Sequence, residues 1–185
     1  MTIIFFSVGN PQRSRHSAGH QVLEHLVEEY GNSTLSRPSK AAYSVATDGE
    51  GVFFVRSETY MNESDQALKQ FLHQNRIRPG DSSLVIVHDD FERPLGTVGL
   101  SPVRKNESHN GLKALKPVLD GISTMKVAVM NVGIGPKPKN ASSNTMSKWV
   151  LAPFSDVEQQ RFDTQTAIEA EKLAAGIVTG ERQLV

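Results

Sequence analysis

The stretch LVIVHDD at residues 84–90 is the part of the chain that decides the fold. Residues 84–87 are apolar and mostly β-branched, which is typical of a strand buried on both faces near the middle of a sheet. His88, Asp89 and Asp90 follow at the carboxyl end of that strand, where open α/β sheets bind their ligands. Because carboxylates in such a place are costly unless they are paired or used, we predict a functional role for Asp89 or Asp90. The alternative is a solvated turn that leads into residues 91–96.

Length and composition are those of one globular domain. The chain has 185 residues, is 38% hydrophobic and has no formal net charge, which suits a single domain over residues 1–185. It contains no cysteine, which excludes disulfides and thiolate metal sites. We find no apolar run long enough to cross a membrane and no basic leader of a signal peptide at the start. We therefore expect a cytoplasmic protein, and a mitochondrial location stays open.

The neutral total hides an uneven distribution of charge along the chain. Residues 93–148 contain nine Lys and Arg residues against two acidic residues, whereas the segments on either side are net acidic. One basic face could therefore bind a polyanion such as a nucleic acid. The alternative is that these basic residues are scattered over the surface, and charge alone does not decide between the two.

Hydrophobic periodicity and turn residues predict an alternation of strands and helices. Strands are predicted over residues 3–8, 42–47, 52–57, 84–87, 97–100 and 125–132. Helices are predicted up to Tyr30, after Asn62 or Ser64 as the capping residue, after residue 109, and from a capping box at Ser155 to about Thr179. This order predicts an α/β fold, a single three-layer domain with a mixed twisted sheet flanked by helices.

Polar residues at several strand ends and helix starts could converge at one end of this sheet. They are Asn10 with His16, then Asn62, then residues 88–90, and finally His109 with Asn110. A histidine, a carboxylate and several carboxamides suit hydrolysis by an activated water. The imidazole would take the proton, the carboxylate would fix its tautomer, and amide groups would donate to an oxyanion. For each residue taken alone, helix capping or a surface position is the alternative, and composition does not choose.

Six short motifs, in this order and spacing, resemble the bacterial-type peptidyl-tRNA hydrolase family over nearly the whole chain. They are Val8-Gly9-Asn10-Pro11, Arg15-His16-Ser17-Ala18-Gly19, Tyr60-Met61-Asn62, Val87-His88-Asp89-Asp90, Ser108-His109-Asn110-Gly111-Leu112-Lys113 and Val132-Gly133-Ile134-Gly135. The resemblance implies hydrolysis of the ester between a peptide and the 3′ ribose of tRNA. It also implies a monomer that needs no cofactor and no metal, with peptidyl-tRNA and tRNA as its partners.

The resemblance further implies a role for each matching residue. His16 would be the general base, Asp89 its orienting carboxylate, and Asn10 would help to position the peptide and the water. Asn110 would contact the substrate near the ester. The residues that would bind the substrate are Tyr60, Met61, Asn62, His109 and Asn110.

The chain departs from the family pattern in three places. The segment between Pro11 and His16 is a few residues shorter and lacks a tyrosine that is usual there. Residues 104–108 replace a glycine-rich loop, and Ser101 and Asn131 stand where relatives carry basic residues for the tRNA 5′ phosphate. The short turn and basic loop favour a fungal or other eukaryotic member. We hypothesise that the phosphate contact has passed to other basic residues, and the candidates are Arg104, Lys105, Lys137 and Lys139.

Two other functions compete with the hydrolase interpretation. The first is a catalytically inactive RNA-binding protein on the same fold, and the second is a different metal-free hydrolase or a nucleoside-handling enzyme. The presence of His16 together with Asp89 argues against the first, because a pure binding protein needs no base and carboxylate. The order of the motifs argues against the second.

Overall fold

The computed structural model describes residues 1–105 and 107–184, which form a six-stranded sheet with helices on both faces. In chain order the elements are β1 (Thr2–Ser7), α1 (Ala18–Tyr30), β2 (Tyr43–Thr47), β3 (Val52–Ser57), α2 (Ser64–Gln74), β4 (Ser82–Pro94), β5 (Val98–Ser101), α3 (Asn110–Asp120), β6 (Lys126–Gly135), α4 (Ser143–Leu151), α5 (Asp156–Arg161) and α6 (Ala167–Thr179). The strand order is β2-β3-β1-β4-β6-β5. The four inner strands are parallel, and β2 and β5 are antiparallel edge strands.

Strand β4 lies in the interior of the sheet, between β1 and β6, as its apolar sequence predicts. Val85 and Val87 point to one face and pack in a core with residues of α1 and α6. Leu84 and Ile86 point to the other face and pack with residues of α2 and α3. The two cores confirm the predicted three-layer α/β domain, because each face of the sheet is covered by its own helices.

The predicted end of the central strand is wrong. Strand β4 does not stop at Val87 but continues to Pro94, and Asp89 pairs with Val132 and Asp90 with Gly133 of the 10-residue β6. Gly133 permits this pairing, since a Cβ there would lie 2.1 Å from the carbonyl oxygen of Pro94. The solvated-turn alternative is therefore excluded, and Asp89 stands on a strand rather than in a loop.

The helical segments differ from the prediction in three respects. Helix α4 was not predicted; five of its nine residues are polar, and none of its residues is fully buried. Neither Asn62 nor Ser64 caps α2, since Glu63 precedes that helix and the Ser64 hydroxyl donates to the Met61 carbonyl at 2.7 Å. The capping box at Ser155 is confirmed, but a π-helical turn separates α5 from α6. Of the helices in the described part of the chain, none has the length and apolar character needed to span a bilayer.

Candidate active site

His16 lies in a short 3-10 turn, Arg15–Ser17, between β1 and α1. The turn is fixed by a reciprocal pair of hydrogen bonds, in which the Ser14 amide donates to Ser17 Oγ at 2.9 Å and that hydroxyl donates to the Ser14 carbonyl at 2.8 Å. Gly19 then lets the start of α1 approach β4, since a Cβ at this position would lie 2.5 Å from the Val87 carbonyl oxygen. The close approach places His16 beside the middle of β4, next to Asp89.

Asp89 accepts hydrogen bonds from two histidines, one on each carboxylate oxygen. His16 Nδ1 donates to Oδ2 at 2.7 Å, and His109 Nε2 donates to Oδ1 at 2.8 Å. Only 1% of the Asp89 side chain is exposed. Burial alone raises the pKa of Asp89, but the charge and the hydrogen bonds of His109 and His16 outweigh it and hold that pKa well below its usual value. Asp89 is therefore a carboxylate that fixes both imidazole rings.

The hydrogen bonds also determine which nitrogen of each ring carries the proton. His109 Nδ1 accepts from the Gly111 amide at 3.1 Å, so the proton of a neutral His109 ring is on Nε2 and faces Asp89. The His16 Nδ1–H group donates a hydrogen bond to Asp89. In the neutral ring, this leaves Nε2 with a free lone pair. Burial lowers the pKa of His109, but the Asp89 carboxylate raises it by more, so that the pKa lies above its usual value. Of the two histidines, His16 has the geometry of a general base.

A cavity of about 690 Å³ opens beside this pair. His16, Asp89 and Asn110 line one side of it, and Lys137 and Met146 belong to the opposite side, which is formed largely by α4 and the segment before it. Asn110 is the first residue of α3, where the free amide groups and the dipole of the helix favour negative charge. The cavity therefore places a base and an anion-stabilising helix end in one space.

The remaining predicted residues lie beside this cavity and not in its lining. The Met61 amide donates to Asn10 Oδ1 at 3.3 Å, and the Met61 sulfur packs on Gly111, where a Cβ would lie 2.4 Å from it. Tyr60 and Asn62 flank Met61 and are exposed. The structure thus brings together His16, Asp89, His109 and Asn110, with Asn10 and Met61 adjoining at the start of α3.

The basic candidates for phosphate contact are arranged unequally. Lys137 lines the cavity, and its Nζ lies 2.6 Å from Glu92 Oε1 in an exposed ion pair. Arg104 and Lys105 are exposed in the loop after β5, and Arg104 also lines a small hollow beside Asn131. The roles of these residues stay predictions.

Arg15 and His88 make specific contacts that the sequence did not predict. Arg15 donates to the Trp149 carbonyl at 3.1 Å and to Glu158 at 2.8 Å, and so joins the His16 turn to the segment around α4. His88 is buried and donates from Nε2 to Asn131 Oδ1 at 2.6 Å. No local spacing could have indicated these contacts, because their partners are far away in the sequence.

The site also has the composition of a possible metal centre. One ligand atom each of His16, Asp89 and His109 lie within 4.8 Å of one another, and so do those of His25, Glu29 and Glu171 on α1 and α6. In the first group, however, both nitrogens that face Asp89 donate protons to it, which suits hydrogen bonding rather than coordination. The expectation that no metal and no cofactor is needed stays a prediction.

The chain is similar to known proteins over almost its full length. A family model described as peptidyl-tRNA hydrolase matches residues 4–183. Curated proteins of that name include one from Lactobacillus acidophilus, 30% identical over 86% of this chain and 84% of its own length, and one from Thermodesulfovibrio yellowstonii, 25% identical over 96% and 94%. The crystal structure of peptidyl-tRNA hydrolase from Acinetobacter baumannii is 25% identical, covers 97% of this chain and 91% of that chain, and has a TM-score of 0.74.

A second class of hydrolase shares only the fold. The hydrogenase maturation protease HycI from Thermococcus kodakarensis has a TM-score of 0.52 at 12% identity. The three peptidyl-tRNA hydrolases named above come from bacteria, so they do not test the expectation that this chain is a eukaryotic member of the family.

Proposed function

Since the chain belongs to the peptidyl-tRNA hydrolase family, we propose that it is an enzyme that hydrolyses the ester bond between a peptide, or an N-blocked amino acid, and tRNA. The observation that carries the mechanism is the pairing of His16 with Asp89 at the wall of the large cavity. His16 Nε2 is free to accept a proton there, and Asp89 holds the ring in the tautomer that this requires.

The reaction begins when His16 Nε2 takes a proton from a water molecule. The water oxygen forms a bond to the carbonyl carbon of the ester, and the bond from that carbon to the ribose 3′ oxygen then breaks. The ribose oxygen leaves with the proton returned by His16, so the products are a peptide acid and tRNA with a free 3′ hydroxyl. Asp89 stays ionised throughout and stabilises the imidazolium that forms in between, in agreement with its strongly lowered pKa.

Amide groups near the start of α3 suit the charge that develops on the ester oxygen. Asn110 lines the cavity at the first residue of that helix, and we assign to it the contact nearest the ester. Asn10, which accepts from the Met61 amide, would position the peptide and the water. Tyr60, Met61 and Asn62 would form the wall on which the peptide lies.

Lys137, Arg104 and Lys105 are the residues to which we assign the phosphates of tRNA. Lys137 belongs to the cavity and lies at its rim in an exposed pair with Glu92, from which a phosphate could displace the carboxylate. Arg104 and Lys105 are exposed in the loop that leads to His109. As the family resemblance implies, we assign to the protein action as a monomer, and we expect it to work in the cytoplasm.

The experiment that tests this function is single-turnover release of an N-acetylated amino acid from its tRNA in the presence of EDTA. We expect fast release by the unaltered protein and a collapse of the rate in His16→Ala. His25→Ala is the matched control, because His25 lies within α1 and pairs with Glu171 on α6, away from Asp89. Equal rates in the protein and in His16→Ala would mean that the base is misassigned. Binding of tRNA without any release would instead support an inactive RNA-binding protein.

A further inference from the structure

His109 lies across the middle of β4 and touches two consecutive residues of that strand. Its Nε2 donates to Asp89, and its ring meets the ring of His88 edge to face, with centroids 4.7 Å apart and an interplanar angle of 85°. Consecutive residues of a strand point to opposite faces of the sheet. His109 is therefore held from both sides, by a hydrogen bond on one face and by a ring contact on the other.

His88 is itself fixed by a chain of polar groups that begins at the buried His88 and Asn131 and ends at the partly exposed Ser101. Its Nε2 donates to Asn131 Oδ1 at 2.6 Å, and the Asn131 amide donates to Ser101 Oγ at 2.9 Å. The bond to Ser101 and a longer one to the Gly99 carbonyl orient the amide group, so its oxygen faces His88 and the His88 proton is on Nε2. Burial lowers the pKa of His88 to about 4. The ring that His109 meets is thus uncharged at neutral pH.

We propose that His109 is a positioning residue for the catalytic pair. It donates to one of the two Asp89 carboxylate oxygens, and it is held in place by the hydrogen-bonded chain of His88, Asn131 and Ser101. The proposal rests on the proposed function for its consequence in catalysis, since it assumes that His16 is the base. Its structural basis is the sharing of Asp89, in which His16 and His109 each donate to a different oxygen.

Sharing the carboxylate has a direct effect on the base. A carboxylate that already accepts one N–H attracts a second proton donor less strongly than a carboxylate with no other partner. If Asp89 served His16 alone, it would stabilise the protonated His16 ring more strongly, and a protonated imidazole cannot take a proton from water. By donating to the other carboxylate oxygen, His109 weakens this stabilisation. The titratable groups around His109 are Asp89, Asp90 and His88 on β4, His16 across the carboxylate, and Glu107 before α3.

The first test is an NMR titration of the His16 ring in protein with labelled histidine, which needs no substrate. In His109→Leu, we expect the midpoint of this titration to move up by about 0.5 to 1 pH unit. His109→Gln keeps an N–H donor for Asp89, so it should reverse at least half of that shift. A midpoint that stays in place or moves down in folded His109→Leu would overturn the proposal.

Asn131→Leu tests the supporting chain, because it removes the partner of His88 without touching His109. We expect the midpoint of the His16 titration to move in the same direction as in His109→Leu, but by less. The control is Ser44→Ala, which loses one hydrogen bond in the edge strand β2 and should leave the midpoint in place. Equal shifts in Asn131→Leu and Ser44→Ala would show that loss of stability, and not positioning, is responsible. This pair also keeps the proposal testable if His109→Leu does not fold.

Single-turnover rates then separate this proposal from the function on which it rests. In His109→Leu, the acid limb of the pH–rate profile should move up together with the NMR titration, so that the rate falls on the acid side of the profile and recovers at higher pH. An NMR shift in a protein that releases no amino acid would contradict the proposed function alone. Normal hydrolysis with an unchanged titration in His109→Leu would contradict the positioning role alone.

Discussion

At the scale of single residues, Asp89 and Asp90 show how one step along a strand separates two carboxylates. Asp89 is buried and accepts from two histidines, whereas Asp90 is partly exposed, accepts from the Glu92 amide and lies 3.9 Å from Arg93. The alternation of side chains along β4 makes this difference. Of the two carboxylates, only that of Asp89 accepts a hydrogen bond from the imidazole of His16.

Replacement of Asp89 by asparagine should therefore lower the hydrolysis rate by about 10³- to 10⁴-fold, since an amide cannot hold both rings in their present tautomers. Asp90→Asn is the matched control and should stay within a few-fold of the unaltered protein. Single-turnover release of N-acetylated amino acid from tRNA measures both. If the two variants were equally impaired, the orienting role of Asp89 would be wrong.

The sequence allowed some of these residues to be predicted and not others. Asp89 could be predicted because it directly follows a buried apolar run, and His16 because it lies between a strand and a helix. The contacts of Arg15 with residues 149–158 could not, because they join segments more than 130 residues apart. The bond between His88 and Asn131 joins neighbouring strands, and a register between strands is not visible in either strand alone.

At the scale of elements, α4 is held to the site by few buried contacts. It buries no side chain completely, and five of its nine residues are polar, so its sequence contains few apolar residues that could indicate a helix. Arg15 holds it instead, with hydrogen bonds to the carbonyls of Trp149 and Ala152 and a guanidinium 5.0 Å from the Trp149 ring centre. The wall of the cavity opposite His16 thus depends on the residue next to His16 in the sequence.

Arg15→Ala should loosen this wall and raise KM for peptidyl-tRNA by about tenfold, or ~1.4 kcal/mol, with a smaller effect on kcat. Arg161→Ala is the control, because the Arg161 side chain bonds to Gln165 one helical turn away and not to α4. Steady-state kinetics of the two variants give both constants. An Arg15→Ala protein with an unchanged KM would show that α4 stays in place without this side chain.

At the scale of the whole molecule, the charge distribution decides how tRNA is attracted. The total charge is zero, so attraction requires a locally basic part of the surface, and residues 93–148 are the segment with an excess of basic residues. We expect Arg104→Ala/Lys105→Ala to lower the slope of log K against log salt concentration for tRNA binding by about 1–2. Lys172→Ala/Arg182→Ala, near the C-terminal end, is the charge-matched control. An unchanged slope in the first pair would remove these residues from the interface.

Stability should depend on pH through two buried histidines outside the catalytic pair. Burial lowers the pKa of both His20 and His88 from 6.5 to about 4. Between these values the unfolded chain binds protons that the folded protein does not, so the free energy of unfolding falls as pH falls from 6.5 to 4. The loss is on the order of 3 kcal/mol for each ring. The lowered pKa of Asp89 extends the loss to still lower pH.

Urea unfolding between pH 7.5 and pH 4.5 measures this dependence. His20→Asn should flatten it, because one of the two groups is then absent, whereas His73→Asn, on the exposed side of α2, should leave the slope as it is. A free energy of unfolding that is constant over this range would contradict the assignment of neutral, buried rings.

The continuation of β4 beyond Val87 means that the two partners of the catalytic pair stand on backbones of unequal rigidity. Asp89 belongs to a 13-residue strand paired along β6, whereas His16 belongs to a three-residue turn. Deuterium from the solvent should therefore replace amide hydrogens around His16 long before it reaches those around Asp89. Mild heating would accordingly separate base from carboxylate while the sheet persists, and cooling would restore the enzyme without any refolding of its core.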